Sequence, residues 1–289
     1  MTRRLDHHDP RRRAAVDTIV RRVPWNPLPE PLARTLAISS VLIVALSPLT
    51  ATAQPAARLL VTVIDNTGAP IAGLTRDDFT VRRGDSELDV TAAEPAPTTV
   101  QVVAIFEGLA VSQRQLTSAL TQFIGSLDDE SIVDMQSVDG ELDAAVVEAI
   151  DDLTGRAATR PVILLLGQAS EIAPSALPSS QVRGRRRAAD LTGDIDHLAQ
   201  RLVEQGILFY GVSAAQAPLT NLERLSAATG GRFHILDGPE SLGGTVDGIG
   251  RELGTQYLLS LSPSASTGPL DVAVARPGAP TVRVTTLPE

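Results

Sequence analysis

The feature that most constrains this chain is an alternation that runs from residue 100 to residue 262. Continuous apolar runs of aliphatic and β-branched residues are separated by segments with helical spacing. The strongest runs are VQVVAIF (100–106), VILLL (162–166) and ILFYGV (207–212). A weaker one spans 131–138, and RFHIL (232–236) and YLLSLS (257–262) follow. An apolar run without polar alternation fits a strand buried on both faces. Between the runs, Leu116, Ala119, Leu120, Phe123, Ile124 and Leu127 line one face of a helix, as do Leu142, Ala145, Val146, Ala149, Ile150 and Leu153. Leu191, Ile195, Leu198, Ala199, Leu202 and Val203 make a third helix, stopped by Gly206, and Leu242, Val246, Ile249 and Leu253 mark a last one. Ser112 with Gln115, and Thr220 with Glu223, have the spacing of capping boxes. The alternation predicts an α/β fold: a Rossmann-like, mostly parallel sheet with helices on both faces.

Short strands flank this unit. LLVTVI (59–64), 77–82 and 88–92 precede it, separated by the turn signals Asn66-Thr67-Gly68 and Arg83-Gly84-Asp85. Residues 270–275 and 281–286 follow it. So few strands in either set cannot satisfy their backbone alone. The expectation is a small β subdomain built from both chain ends, with the α/β unit inserted between them. The expected boundaries are 54–97 for the first β part, 98–262 for the α/β unit and 263–289 for the C-terminal β segment. Pro95-Ala96-Pro97 marks the first junction.

The N-terminus reads as an address. The run LAISSVLIVAL (36–46) follows Arg34 and other arginines, and leads through Pro48 to Ala51-Thr52-Ala53. This is the order of a secretory signal peptide with a long basic region, and it predicts cleavage after Ala53. The run falls short of the ~18–20 apolar residues of a membrane span. The expected location is therefore periplasmic or extracellular, with an uncleaved leader as membrane anchor the alternative. From Gln54 onward, 17 arginines face 30 acidic residues, a net of −13. That charge argues against nucleic acid, whose binding rests on neutralised phosphates. The chain has no cysteine, so thiol chemistry, disulfides and cysteine-based metal sites are excluded.

Catalytic signatures are missing. Ser170-Glu171 lacks a G-x-S-x-G setting, His197 and His234 have no metal-ligand spacing around them, and there is no phosphate loop. The arginine cluster Arg183, Arg185, Arg186 and Arg187 lies in a long polar stretch and reads as a solvated loop.

Several segments together resemble von Willebrand factor type A domains, and more narrowly the bacterial secreted proteins that carry related domains. They are VTVIDNTGAPIAGLTRDDFTVRRGD (61–85), LAQRLVEQGILFYGV (198–212), LERLSAATGGRFHIL (222–236) and IGRELGTQYLLSLSPS (249–264). The resemblance spans 59–289. It implies a protein–protein interaction module and a divalent-cation site at the carboxyl end of the sheet. That site normally uses Asp-x-Ser-x-Ser, a threonine and a later aspartate. Here the first motif falls on Glu107-Gly108-Leu109-Ala110-Val111, followed by Ser112. The threonine loop falls near Asp139-Gly140-Glu141 and the later aspartate near Gly167. Leu109 and Val111 cannot coordinate a cation. The expectation is a degenerate adhesion site with no metal and no cofactor. It leaves Glu107, Leu109, Val111, Ser112, Asp139, Glu141 and Gly167 as a surface for an unknown protein partner. The competing reading is an exported hydrolase or metal-dependent enzyme with an unrecognised site.

Overall fold

The computed structural model describes residues 57–107, 111–138, 142–167, 194–214, 219–264, 268–278 and 280–288. Residues 1–56, the arginines Arg183, Arg185, Arg186 and Arg187, and Ser170 with Glu171 lie outside the described residues. Four strands open the chain: β1 (Arg58–Ile64), β2 (Phe79–Arg83), β3 (Ser86–Leu88) and β4 (Val90–Pro95). Then β5 (Gln101–Glu107), α1 (Gln113–Gly125), β6 (Ile132–Ser137), α2 (Leu142–Gly155) and β7 (Pro161–Gly167) alternate. The alternation continues with α3 (Ile195–Glu204), β8 (Leu208–Ser213), α4 (Thr220–Ala228), β9 (Phe233–Ile235) and α5 (Leu242–Leu253). The chain closes with β10 (Tyr257–Leu261), β11 (Leu270–Val274) and β12 (Thr281–Thr286).

Five strands form one parallel sheet in the order β6-β5-β7-β8-β9. Its central strands carry almost no exposed position, which is why their sequences show no alternation. Val103, Ile105, Ile163, Leu165 and Phe209 pack under α2, α3 and α4. Val102, Val162, Leu164, Tyr210 and Val212 point the other way, under α1 and α5. The expected sheet with helices on both faces is thus present. The strand order reverses between β5 and β7, and in open α/β sheets ligands bind at the carboxyl ends flanking such a reversal.

The chain ends build the β layer together, as expected. β12 and β10 flank β1, β4 pairs with β10, and β11, β2 and β3 form a second antiparallel sheet. A common core of Leu59, Val61, Phe79, Val81, Tyr257 and Leu259 lies between these sheets. Leu60, on the opposite face of β1, joins the core of the parallel unit.

Three local expectations differ. YLLSLS was expected to end the parallel unit, but β10 sits between β1 and β4 in the antiparallel sheet. Its burial alternates, as a strand with two unlike faces requires. Residues 88–92 do not form one strand: β3 and β4 divide at Asp89 and belong to different sheets. Thr220 does not cap α4; Leu219 stands at that position without a side-chain cap. Leu219 and Leu222 are both buried in the core, and their packing sets where the helix begins. The Ser112 box does form, with Gln115 N–H donating to Ser112 Oγ at 3.3 Å and Ser112 N–H to Gln115 Oε1 at 3.0 Å.

Polar groups tie the parallel unit to the β layer. Arg160 adopts φ 48°, a left-handed conformation that costs a non-glycine residue on the order of 1–2 kcal/mol. Its guanidinium donates to Pro97 O, to Gln256 Oε1 and, at 2.9 Å, to Leu253 O. Gln256 Nε2 in turn donates to Thr62 Oγ1 of β1 at 2.7 Å. Thr285 of β12 donates to Thr229 O at 2.7 Å.

Candidate functional site

The strand-order reversal places Glu107 and Gly167 side by side, as the last paired residues of β5 and β7. Gly167 pairs on its other side with Ser213, the last residue of β8. A Cβ on Gly167 would lie 3.3 Å from Glu107 Oε2, so glycine here leaves room for the carboxylate. Beneath this edge, Leu165, Val212, Leu219, Leu222 and Phe233 close the space. Val111 packs against the core under α1, and Ser112 is engaged in its capping box, its hydroxyl donating to Gln115 Oε1 at 2.8 Å. The structure therefore brings Glu107 and Gly167 together at the switch point, with Val111 and Ser112 leading into α1. Leu109, Asp139 and Glu141 lie outside the described residues. Asp143 falls in the first turn of α2, where a carboxylate favours the helix dipole.

A second polar cluster lies at the seam between α5, β8, β9 and β12, and of its members the sequence reading named only His234. The Tyr210 hydroxyl donates to Glu252 Oε1 at 2.5 Å, with both side chains buried. Burial and the neighbouring carboxylate push the Tyr210 hydroxyl well above the usual tyrosine range. Arg283 Nη2 lies 2.5 Å from the same carboxylate oxygen, an ion pair without hydrogen-bond alignment. His234 is neighbour to Arg232 and Arg283. Burial, then these two charges, lowers it to about 4. One signal was available: Glu252 follows Ile249 by three residues on an apolar helical face, where a charge calls for a buried partner.

Among the described residues, no three acidic or histidine side chains are grouped to hold a metal ion, and no helix is long and apolar enough to cross a membrane.

Fold and edge together define a doubly wound α/β protein that carries an antiparallel β layer built from both chain ends. No known family and no curated protein matches the chain by sequence. Among solved structures it is similar to a protein described as von Willebrand factor type A from Catenulispora acidiphila. That similarity has 7% identity and a TM-score of 0.42, and it covers 83% of this chain and 76% of the other.

Proposed function

We propose that the chain is an exported, non-enzymatic protein-interaction module on a type A-like scaffold whose cation site has been lost. The observation that carries this reading is the composition of the switch-point edge. Glu107 supplies a carboxylate, but its neighbour across the reversal is Gly167 and the next described residue towards α1 is Val111. A hard cation such as Mg²⁺ asks for near-ideal octahedral oxygen geometry and gives up water reluctantly. The described residues at this edge do not fit that demand. The packed apolar layer directly below suits a surface that meets another protein rather than a pocket that encloses a substrate. Recognition then falls to the loops at 107–112, 139–142 and 167–189, and export to the leader ending at Ala53.

The test is retention of a discrete envelope protein by the exported chain, with Glu107→Arg as control. The reading predicts one partner, bound at least tenfold more weakly by the variant at unchanged melting temperature. Equal retention by both, or hydrolysis of an ester or peptide substrate by the purified chain, overturns it. N-terminal sequencing of the exported protein should begin at Gln54; an intact leader in the membrane fraction overturns cleavage.

A further inference from the structure

We propose that the groove between the Asp65–Pro70 turn, β9 and α5 binds a small ligand carrying an oxyanion, a carboxylate or a phosphate, held by the Arg232 guanidinium. The groove has a volume of about 530 Å³ and shares no lining residue with the crevice beneath Glu107.

The cation is the first reason. Arg232 is half-buried, and among the described residues its guanidinium has no ion pair or hydrogen bond. A guanidinium presents its donors as a planar fork that matches carboxylate and phosphate oxygens in pairs. The other cations nearby are already matched. Arg251 pairs with Asp247 at 2.9 Å, and Arg283 with Glu252 at 2.5 Å. Glu240 stands exposed at the rim. Arg232 therefore carries the uncompensated positive charge inside the groove, on a chain that is strongly acidic beyond its leader.

The walls are the second reason. The turn is firmly built: Asp65 Oδ1 accepts from Thr67 N–H at 2.8 Å and from Ala69 N–H at 2.9 Å. Gly68, at φ +87°, faces the guanidinium, and a Cβ there would lie 3.6 Å from Nη1. Beside Arg232, His234 Nε2 is buried and has no hydrogen-bond partner among the described residues. A buried polar atom of this kind is normally satisfied, and a ligand oxygen within the groove would do so.

The floor is the third reason. Gly244 and Gly248 lie inside α5, where each glycine costs up to ~1 kcal/mol of helix stability. A Cβ at either position would meet nothing within 4 Å. The missing side chains leave open the volume that a ligand's remainder needs.

The experiment is calorimetry and thermal unfolding of the protein with inorganic phosphate and, separately, with N-acetylalanine and its amide, at constant ionic strength. At least one of the two anions should bind and raise the melting temperature, and the amide should not. Phosphate alone, or the carboxylate alone, identifies which oxyanion the groove takes. Arg232→Gln should weaken binding about tenfold or more, the loss of a charged hydrogen-bonding pair. Gly248→Leu should fold normally and lose binding, because its side chain fills the groove. The His234 imidazole, followed by NMR, feels Arg232 and Arg283 and shares the groove with Arg251, Glu240 and Glu252; it should titrate upward from about 4 as the anion offsets Arg232. Failure of both anions to bind, or equal binding by Arg232→Gln or Gly248→Leu, overturns the proposal.

Discussion

Tyr210 and Glu252 join the centre of the parallel sheet to α5 through a buried hydrogen bond of 2.5 Å. Arg283 of β12 shares the same carboxylate, so three elements from both layers meet at one oxygen. Removing Glu252 leaves Arg283 buried without its counter-charge. Glu252→Ala should therefore cost about 3–5 kcal/mol. Replacing both Glu252 and Arg283 by methionine should cost far less than the sum of the two single changes. Denaturant unfolding of the singles and the double decides this; strict additivity would show that the pair is not coupled.

Gly231 holds α4 and β8 together by having no side chain. A Cβ there would lie 2.0 Å from Phe209 O and 2.7 Å from Phe209 C, which are backbone atoms of a central strand. Neither can yield without displacing the sheet. Gly231→Ala should cost about 3 kcal/mol, or roughly 6–12 °C in melting temperature for a chain of this size. Gly248→Ala, which meets nothing within 4 Å in α5, should instead hold or raise stability. Thermal unfolding of the two variants separates close approach from glycine's intrinsic helix penalty.

The parallel sheet was legible because VILLL and ILFYGV are buried on both faces, which removes alternation and leaves a run that few other structures tolerate. YLLSLS was misplaced because a short apolar run does not say which sheet it joins; only its pairing with Leu59 and Leu60 of β1 decides that. The closing of the chain ends on each other followed from backbone satisfaction, since so few strands at either end cannot pair alone, and β1 takes β12 on one side and β10 on the other. At the candidate edge, Glu107 and Gly167 were legible as strand ends. The seam was not. Tyr210, Glu252 and Arg283 sit on three elements whose contact has no local pattern, and Gly230-Gly231 reads as a helix stop when its tighter constraint is the backbone it touches.

His234 makes stability depend on mild acid. Its folded value is lowered to about 4 from 6.5, so the unfolded chain takes up the proton first. The stabilisation is fully present above pH 6.5, is lost as the pH falls from there towards 4, and falls no further below that. Burial disfavours the charged imidazole most, and Arg232 and Arg283 add to this. The total is on the order of 3 kcal/mol. Asp65, Asp78 and Asp128, held below the usual carboxylate value by hydrogen bonds, lose their contribution only at lower pH, from about 3.8 downward. His234→Gln should flatten the stability curve between pH 6.5 and 4 and leave the acid limb intact. An unchanged slope in that window would place the imidazole in contact with solvent.

Mg²⁺, Mn²⁺ and Ca²⁺ should leave stability unchanged. A cation that binds the folded state alone adds RT ln(1 + [L]/Kd), about 2.7 kcal/mol at a hundredfold excess over Kd. For a chain of this size that is a rise of roughly 5–10 °C, well within the reach of a thermal scan. At the switch point, Gly167 stands where a second carboxylate would face Glu107, and the space a Cβ needs there is taken up to 3.3 Å by the Glu107 carboxylate itself. Val111, partly buried, packs against the core with an apolar side chain that offers a cation no oxygen. The Ser112 hydroxyl is held by Gln115, and freeing it would cost α1 a cap worth about 1 kcal/mol. Thermal unfolding in EDTA and in millimolar concentrations of each cation is the measurement. A rise of several degrees with any of them, abolished by Glu107→Gln, would restore the metal site and end the metal-free reading.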